Sequence, residues 1–175
     1  NPMHWTGNNA VYVVDNAAKA PDGTYSAVKI QDIASSSAIF HGTYQHVSVT
    51  NLVTYTISGY FKAGTEDVVG FRMYDGSAMA MRGHFNLNSG TPTLINGTSI
   101  HMQDVGDGWY RCSIVGTAAN TTGTADVYIF TTSVYTHTST GDNSIYAWGI
   151  QHEAGPFVTS YIPTDTRFVN RSTTA

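Results

Sequence analysis

Along these 175 residues apolar side chains recur at every second position, while the three-to-four spacing of an amphipathic helix is hard to find. Gly, Asn and Asp break the alternation at short intervals. Strands are therefore expected over Tyr25 to Asp32, Thr43 to Val49, Thr54 to Ala63, Val68 to Tyr74 and Gly83 to Leu87. Four more are expected over Ser99 to Asp104, Trp109 to Thr117, Ala125 to Thr132 and Ser144 to His152. The connectors have turn chemistry: Pro21-Asp22-Gly23, Asp75-Gly76-Ser77, Asn88-Ser89-Gly90, Gly106-Asp107-Gly108 and Gly141-Asp142-Asn143. So many strands without helices imply an all-β chain, and the count fits a two-sheet antiparallel jelly-roll β-sandwich. The length suits one domain, 1–175, with a core of its own.

Composition narrows the function. Lys, Arg, Asp and Glu make up 11% of the chain, about half the usual share. Eleven Tyr, seven Phe and three Trp stand among Thr, Ser, Gly and Asn, which is not the makeup of a disordered chain. A net charge of −4 argues against a nucleic-acid partner, because phosphate binding needs clustered Lys and Arg. No apolar run reaches 18 residues, so membrane insertion is not expected. The opening Asn1-Pro2-Met3-His4-Trp5 has no leader character and reads as the start of a piece cut from a longer protein. Cys112, the single cysteine, excludes an internal disulfide; its alternation with Ile114 makes it a small buried hydrophobe.

Alternation also assigns faces. Tyr55, Ile57 and Phe61 point one way, and Thr56, Ser58, Tyr60 and Lys62 the other. Val69, Phe71 and Met73 form an apolar face opposite Arg72 and Tyr74, and Tyr128 and Phe130 oppose Val127 and Ile129. Outward aromatic and hydrogen-bonding groups of this kind suggest a binding surface. Trp109 and Trp148, the latter alternating with Ile150, are expected in the core.

Catalytic readings find little support. Gln151 and Glu153 share a face that His152 does not, so the three cannot converge, and Glu153 is expected to fix the strand end instead. Glu66 and Glu153 are the only two Glu, with no sign of the carboxylate pair about 5 to 10 Å apart that glycoside hydrolysis needs. The seven His are scattered without zinc-ligand spacing.

Four blocks carry a family resemblance: Ala20-Pro21-Asp22-Gly23-Thr24, Tyr55 to Gly64, Asp104 to Arg111, and Trp148 to Gly155 ending in Thr159-Ser160-Tyr161-Ile162-Pro163-Thr164. In this order they resemble the jelly-roll modules of bacteriophage tail fibres and tailspikes, which are similar to carbohydrate-binding modules of the concanavalin-like type. His152 stands where the family has Leu, and Arg167 and Arg171 supply the Arg-containing exit. Tyr60 to Gly64 also resembles a fragment of an alginate-lyase motif, but Thr65-Glu66-Asp67 does not continue it. A polysaccharide lyase or hydrolase is accordingly the third reading.

The resemblance implies a non-catalytic module of a virion, extracellular, that binds a bacterial cell-surface polysaccharide. The rival implication is a spacer or a homotrimerising assembly domain of the fibre. Residues 1–10 would lead into the domain. Residues 156–175 would lead out of it toward a neighbour, with Tyr161-Ile162-Pro163 folded back on the sandwich. No cofactor is required, but a structural Ca²⁺ is implied, with Asp22, Asp32 and Asp142 as candidate ligands. Sugars stack on aromatic faces while polar groups meet their hydroxyls. The candidate contacts are Tyr60, Arg72 and Tyr74, with His84 on the adjoining strand, and Trp5 before the first strand.

Overall fold

The computed structural model describes residues 7–76, 81–119 and 123–163. Its strands are β1 (Gly7–Asn9), β2 (Val11–Ala18), β3 (Ala27–Asp32), β4 (Ser35–Phe40), β5 (Gly42–Ser48), β6 (Thr54–Ala63) and β7 (Val68–Tyr74). They continue with β8 (Met81–Asn86), β9 (Thr91–Asn96), β10 (Ser99–Gly106), β11 (Trp109–Thr117), β12 (Thr124–Phe130), β13 (Thr136–Ser139) and β14 (Ser144–Ala154). No helix occurs among the described residues. Sheet I has the order β1-β5-β12-β7-β8-β9, sheet II the order β10-β11-β6-β14-β3-β2, and β4 pairs with β13 in a small separate ribbon. Every pairing is antiparallel. The chain is a jelly-roll β-sandwich, as its alternation implies.

The core lies between the sheets. Sheet II contributes Ile30, Ile57, Phe61, Cys112, Ile114 and Ile145, and sheet I contributes Val69, Phe71, Met73, Phe85, Val127 and Ile129. Phe61 and Phe71 meet edge to face across the gap, centroids 5.3 Å apart. Each such side chain contributes roughly 1.5 to 3 kcal/mol by leaving water. Cys112 is buried here, and burial pushes its thiol well up from the ordinary value.

β6 and β7 are consecutive, yet they lie in opposite sheets. The crossing at Gly64 runs so close to Ser144 that a Cβ at Gly64 would sit 2.4 Å from the Ser144 carbonyl oxygen. This crossing separates two faces that alternation alone makes look continuous.

The strands not expected from sequence are β1, β2, β4, β9 and β13. β13 is wholly polar, and β4 runs Ser35-Ser36-Ser37 and then Ala38-Ile39-Phe40 in two blocks, so neither shows alternation. β9 is an edge strand, where Pro92 is tolerated because no further ladder needs its missing N–H. In β2 the register shifts between Val14 and Ala18, around the positive φ of Asn16, and the bulge spoils the period.

Candidate functional site

Two outward faces carry aromatic side chains. On sheet II the face is closed. Trp109, Trp148, Ala20 and Ala27 form a second buried cluster there, with Tyr60, Tyr146 and Tyr161 packed against it. The segment after β14 folds back as its cover. Tyr161 lies 4.4 Å from Trp148 and 6.3 Å from Tyr60, centroid to centroid. Ile162 N donates to Gln151 Oε1 at 2.7 Å, and Thr159 N and Oγ1 both donate to the Glu153 carboxylate. Arg111 Nη2 donates to the Thr159 carbonyl, and Thr56 Oγ1 donates to Gly155 O at 2.7 Å. Glu153 thus ties down the strand end, as the alternation of Gln151, His152 and Glu153 implies.

Two expectations change here. Tyr60 is expected in one groove with Arg72 and Tyr74, but it stands on the opposite sheet under Tyr161, because the Gly64 crossing separates β6 from β7. Trp148 is expected in the central core beside Ile150. A bulge between Trp148 and Gln151, with Gly149 at φ 59°, instead turns Trp148 to the outer cluster and leaves Ile150 on the inner core. Trp109 is buried as expected, though in that outer cluster, where its Nε1 donates to Lys19 O at 3.1 Å. His152 points inward, stacked 4.7 Å from Tyr55, and desolvation lowers its pKa to about 4. Lys62 is opposite Trp109 on the outer side and donates to Asp107 O at 2.6 Å, so it does not converge with His152.

On sheet I the outward face carries three cross-strand rows. Tyr44, Tyr128, Arg72 and Arg82 stand opposite one another across β5, β12, β7 and β8. One step along lie His46, Asp126 and Tyr74; on the other side lie Gly42, Phe130, Gly70, His84 and Thr93. Gly70 has to be glycine, since a Cβ there would sit 1.8 Å from the Phe130 ring that lies over it. The β4–β13 ribbon and Tyr135 wall one side: Phe40 stacks on Tyr135 at 4.6 Å and meets Tyr128 edge-on at 5.4 Å. A shallow cleft of ≈ 350 Å³, lined in part by His84, Asn86, Thr93 and Ser133, continues the face toward β9.

The Arg72 guanidinium carbon lies 3.8 Å from the Tyr135 ring centroid, 4.4 Å from that of Tyr128 and 5.3 Å from that of Tyr74. Stacked this way, its planar fork is held in place. Tyr128 O–H donates to Asp126 Oδ2 at 3.2 Å; desolvation and the Asp126 charge push its pKa up to about 12. His46 Nδ1 pairs with Asp126 Oδ1. His84 is held below the ordinary imidazole value by burial and by Arg82, and its buried Nδ1 has no partner. Arg72, Tyr74 and His84 therefore share one face, half-buried, while Trp5 lies outside the described residues. Sequence reasoning missed Tyr44 and Arg82, and held the loop around Tyr135 only as a fallback to this face. For Arg82, its alternation with Met81 and Gly83 was the available signal.

The three aspartates implied as calcium ligands do not converge. Asp22 Oδ1 accepts Thr24 N at 2.9 Å and Thr24 Oγ1 at 2.7 Å within its own turn, and Asp142 Oδ2 accepts Thr140 Oγ1 at 3.2 Å. Asp32 is buried, and accepts Thr131 Oγ1 at 2.5 Å, His137 Nε2 at 2.8 Å and Asn143 Nδ2 at 3.2 Å. With His41 nearby, this group is rich in imidazole and does not fit calcium, which takes oxygen ligands. His41 Nδ1 donates to Ala10 O at 3.0 Å. The cluster pins β1, β4 and β13 to the sandwich.

No protein-family model matches the chain, and no curated protein matches it. Among solved structures it is similar to one described as "CBM4 structure and function", at 13% identity and a TM-score of 0.51, over 86% of this chain and 81% of the other. Two further similar structures score lower. The enzymatically active domain of bacteriophage CBA120 tailspike protein 4 has TM-score 0.48 and 12% identity, over 85% of this chain and 18% of that one. TmCBM61, in complex with β-1,4-galactotriose, has TM-score 0.44 and 12% identity, over 83% of each. The fold is that of a carbohydrate-binding-module-like β-sandwich.

Proposed function

We propose that the domain is a non-catalytic glycan-binding module, that the outward face of β5, β12, β7 and β8 is its binding surface, and that it serves a phage tail fibre or tailspike by engaging a bacterial cell-surface polysaccharide. The observation that carries the reading is the row Tyr44, Tyr128, Arg72 and Arg82, half-exposed among the described residues and walled by Tyr135. Aromatic faces for sugar C–H groups and fixed donors for hydroxyls are what a glycan needs. The phage setting rests on the sequence blocks at Tyr55 to Gly64 and Trp148 to Thr164. A few stacking and hydrogen-bond contacts give a Kd of roughly 10 μM to 1 mM.

A glycan array screened with the isolated domain tests this. Binding should fall roughly five- to hundredfold for Tyr74→Ala or Tyr128→Ala, the effect of about 1 to 3 kcal/mol of lost contact. Absence of any binding glycan, or binding indifferent to both changes, would contradict the reading. The assembly alternative draws on a different surface, the edge strand β2, where Tyr12 and Val14 are 61% and 48% exposed. Trimerisation of the domain through that edge would favour it.

A further inference from the structure

Arg72 and Arg82 are directly opposite each other on neighbouring antiparallel strands. Like charges so placed repel, and a sheet normally avoids them. The chain has only eight Lys and Arg in all, so the juxtaposition is not the by-product of a basic composition. Among the described residues neither guanidinium meets a carboxylate within ion-pair distance, and the buried Nε of each has no hydrogen-bond partner. The nearest acid across the ladder, Asp126, is engaged by His46 and by the Tyr128 hydroxyl instead. Burial first, and then the Arg72 charge, hold Arg82 below the ordinary guanidinium value, with Tyr135 acting in the other direction. On the other sheet the Nε of Arg111 is likewise without a partner, but its Nη2 donates to the carbonyl of Thr159.

We infer that this face selects acidic glycans, seating the carboxylate of a uronic-acid-type sugar between the Arg72 and Arg82 guanidinium groups. The inference rests on the glycan-binding reading of the same face and adds the class of sugar. A carboxylate offers two oxygens to two planar forks, so it can take charge-assisted hydrogen bonds from both arginines and remove their repulsion. Tyr128 and Tyr135 hold the Arg72 fork in place, which lowers the cost of ordering it on binding. Asp126 gives the site polarity: a second carboxylate one row away would meet its charge, whereas sugar hydroxyls can donate to it. The favoured ligand therefore carries its acid on the β8 side and hydroxyls over β12.

The test pairs each acidic oligosaccharide with its carboxyl-reduced neutral counterpart, using oligogalacturonate and oligoglucuronate titrated by calorimetry. The acidic member should bind roughly ten- to hundredfold tighter, and rising salt should narrow the gap. Arg82→Gln should bring the ratio to near one by weakening the acidic member far more than the neutral one; Arg82→Lys should restore only part of it. Circular dichroism and thermal melting of each variant establish that it is folded. Equal or tighter binding of the neutral members by the unaltered domain would overturn the acidic selectivity and leave the glycan-binding reading standing. A preference for the acid that survives both Arg72→Gln and Arg82→Gln would also overturn it. Failure of the domain to bind any member of the pairs or any glycan on the array would overturn both.

Discussion

The two outer faces of the sandwich start from similar material and end differently. Each sets Tyr and Arg on outward strand positions, with Arg111 over Tyr60 on sheet II and Arg72 over Tyr128 on sheet I. On sheet II the chain returns after β14 and covers them, so that Thr56 and Ser58 are buried although they point away from the core. On sheet I the β4–β13 ribbon walls one side. An Nε without a partner occurs on both faces, at Arg72, Arg82 and Arg111, but only Arg111 also donates to a backbone carbonyl, that of Thr159. An aromatic on an outward strand position is thus no sign of a binding site by itself. The useful distinction is whether the protein's own backbone satisfies the polar groups beside it.

Substitutions should separate the faces sharply. Trp109→Ala should cost about 3 to 5 kcal/mol, measured by urea unfolding, because it empties a buried cluster and removes the hydrogen bond to Lys19 O. A loss below about 1 kcal/mol would mean that the sheet II cluster is a surface platform after all.

The next effect is on pH. His152 is neutral in the fold because desolvation lowers its pKa to about 4 from the ordinary 6.5. A depressed imidazole resists protonation when folded and accepts it when unfolded. Stability is therefore full above pH 6.5 and is lost as pH falls toward 4, by roughly 3 kcal/mol over that window. Denaturant midpoints collected across this range should follow that slope, and His152→Gln should flatten it. An unchanged slope in the variant would assign the pH dependence to other groups.

Smaller still is the difference between the arginines. Arg111→Ala should cost about 1 to 3 kcal/mol, since it removes the bond to the Thr159 carbonyl and loosens the covering segment. Arg82→Gln should change stability by less than about 0.5 kcal/mol, because the repulsion with Arg72 that it relieves offsets its lost packing. Comparable losses at both positions would erase the contrast between the faces.

Much of this was legible in the sequence. β6, β7 and β11 begin and end where the alternation does, because their apolar faces are buried by the opposite sheet and the period is unbroken. The outward direction of Arg72, Tyr74 and Tyr128 follows from the same rule. What alternation does not encode is which sheet a strand joins. Tyr60 and Arg72 have the same local pattern and lie on opposite sides of the molecule, a consequence of one crossing at Gly64. Nor does it show a bulge: Gly149 reverses the side of Trp148 with no change in composition. The pairing of Arg72 with Arg82 depends on the register of a hairpin whose connecting residues do not reveal it.

The central claim is that sheet I, not sheet II, presents the ligand surface. Backbone amide shifts of the ¹⁵N-labelled domain, followed while the tightest-binding oligosaccharide from the array is titrated in, test it most directly. The account predicts perturbations gathered on β5, β12, β7 and β8, centred near Tyr128 and Arg72, with the amides around Trp148 and Tyr161 still. Perturbations centred on Trp148, Tyr60 and Tyr161, with β7 and β12 unmoved, would contradict it.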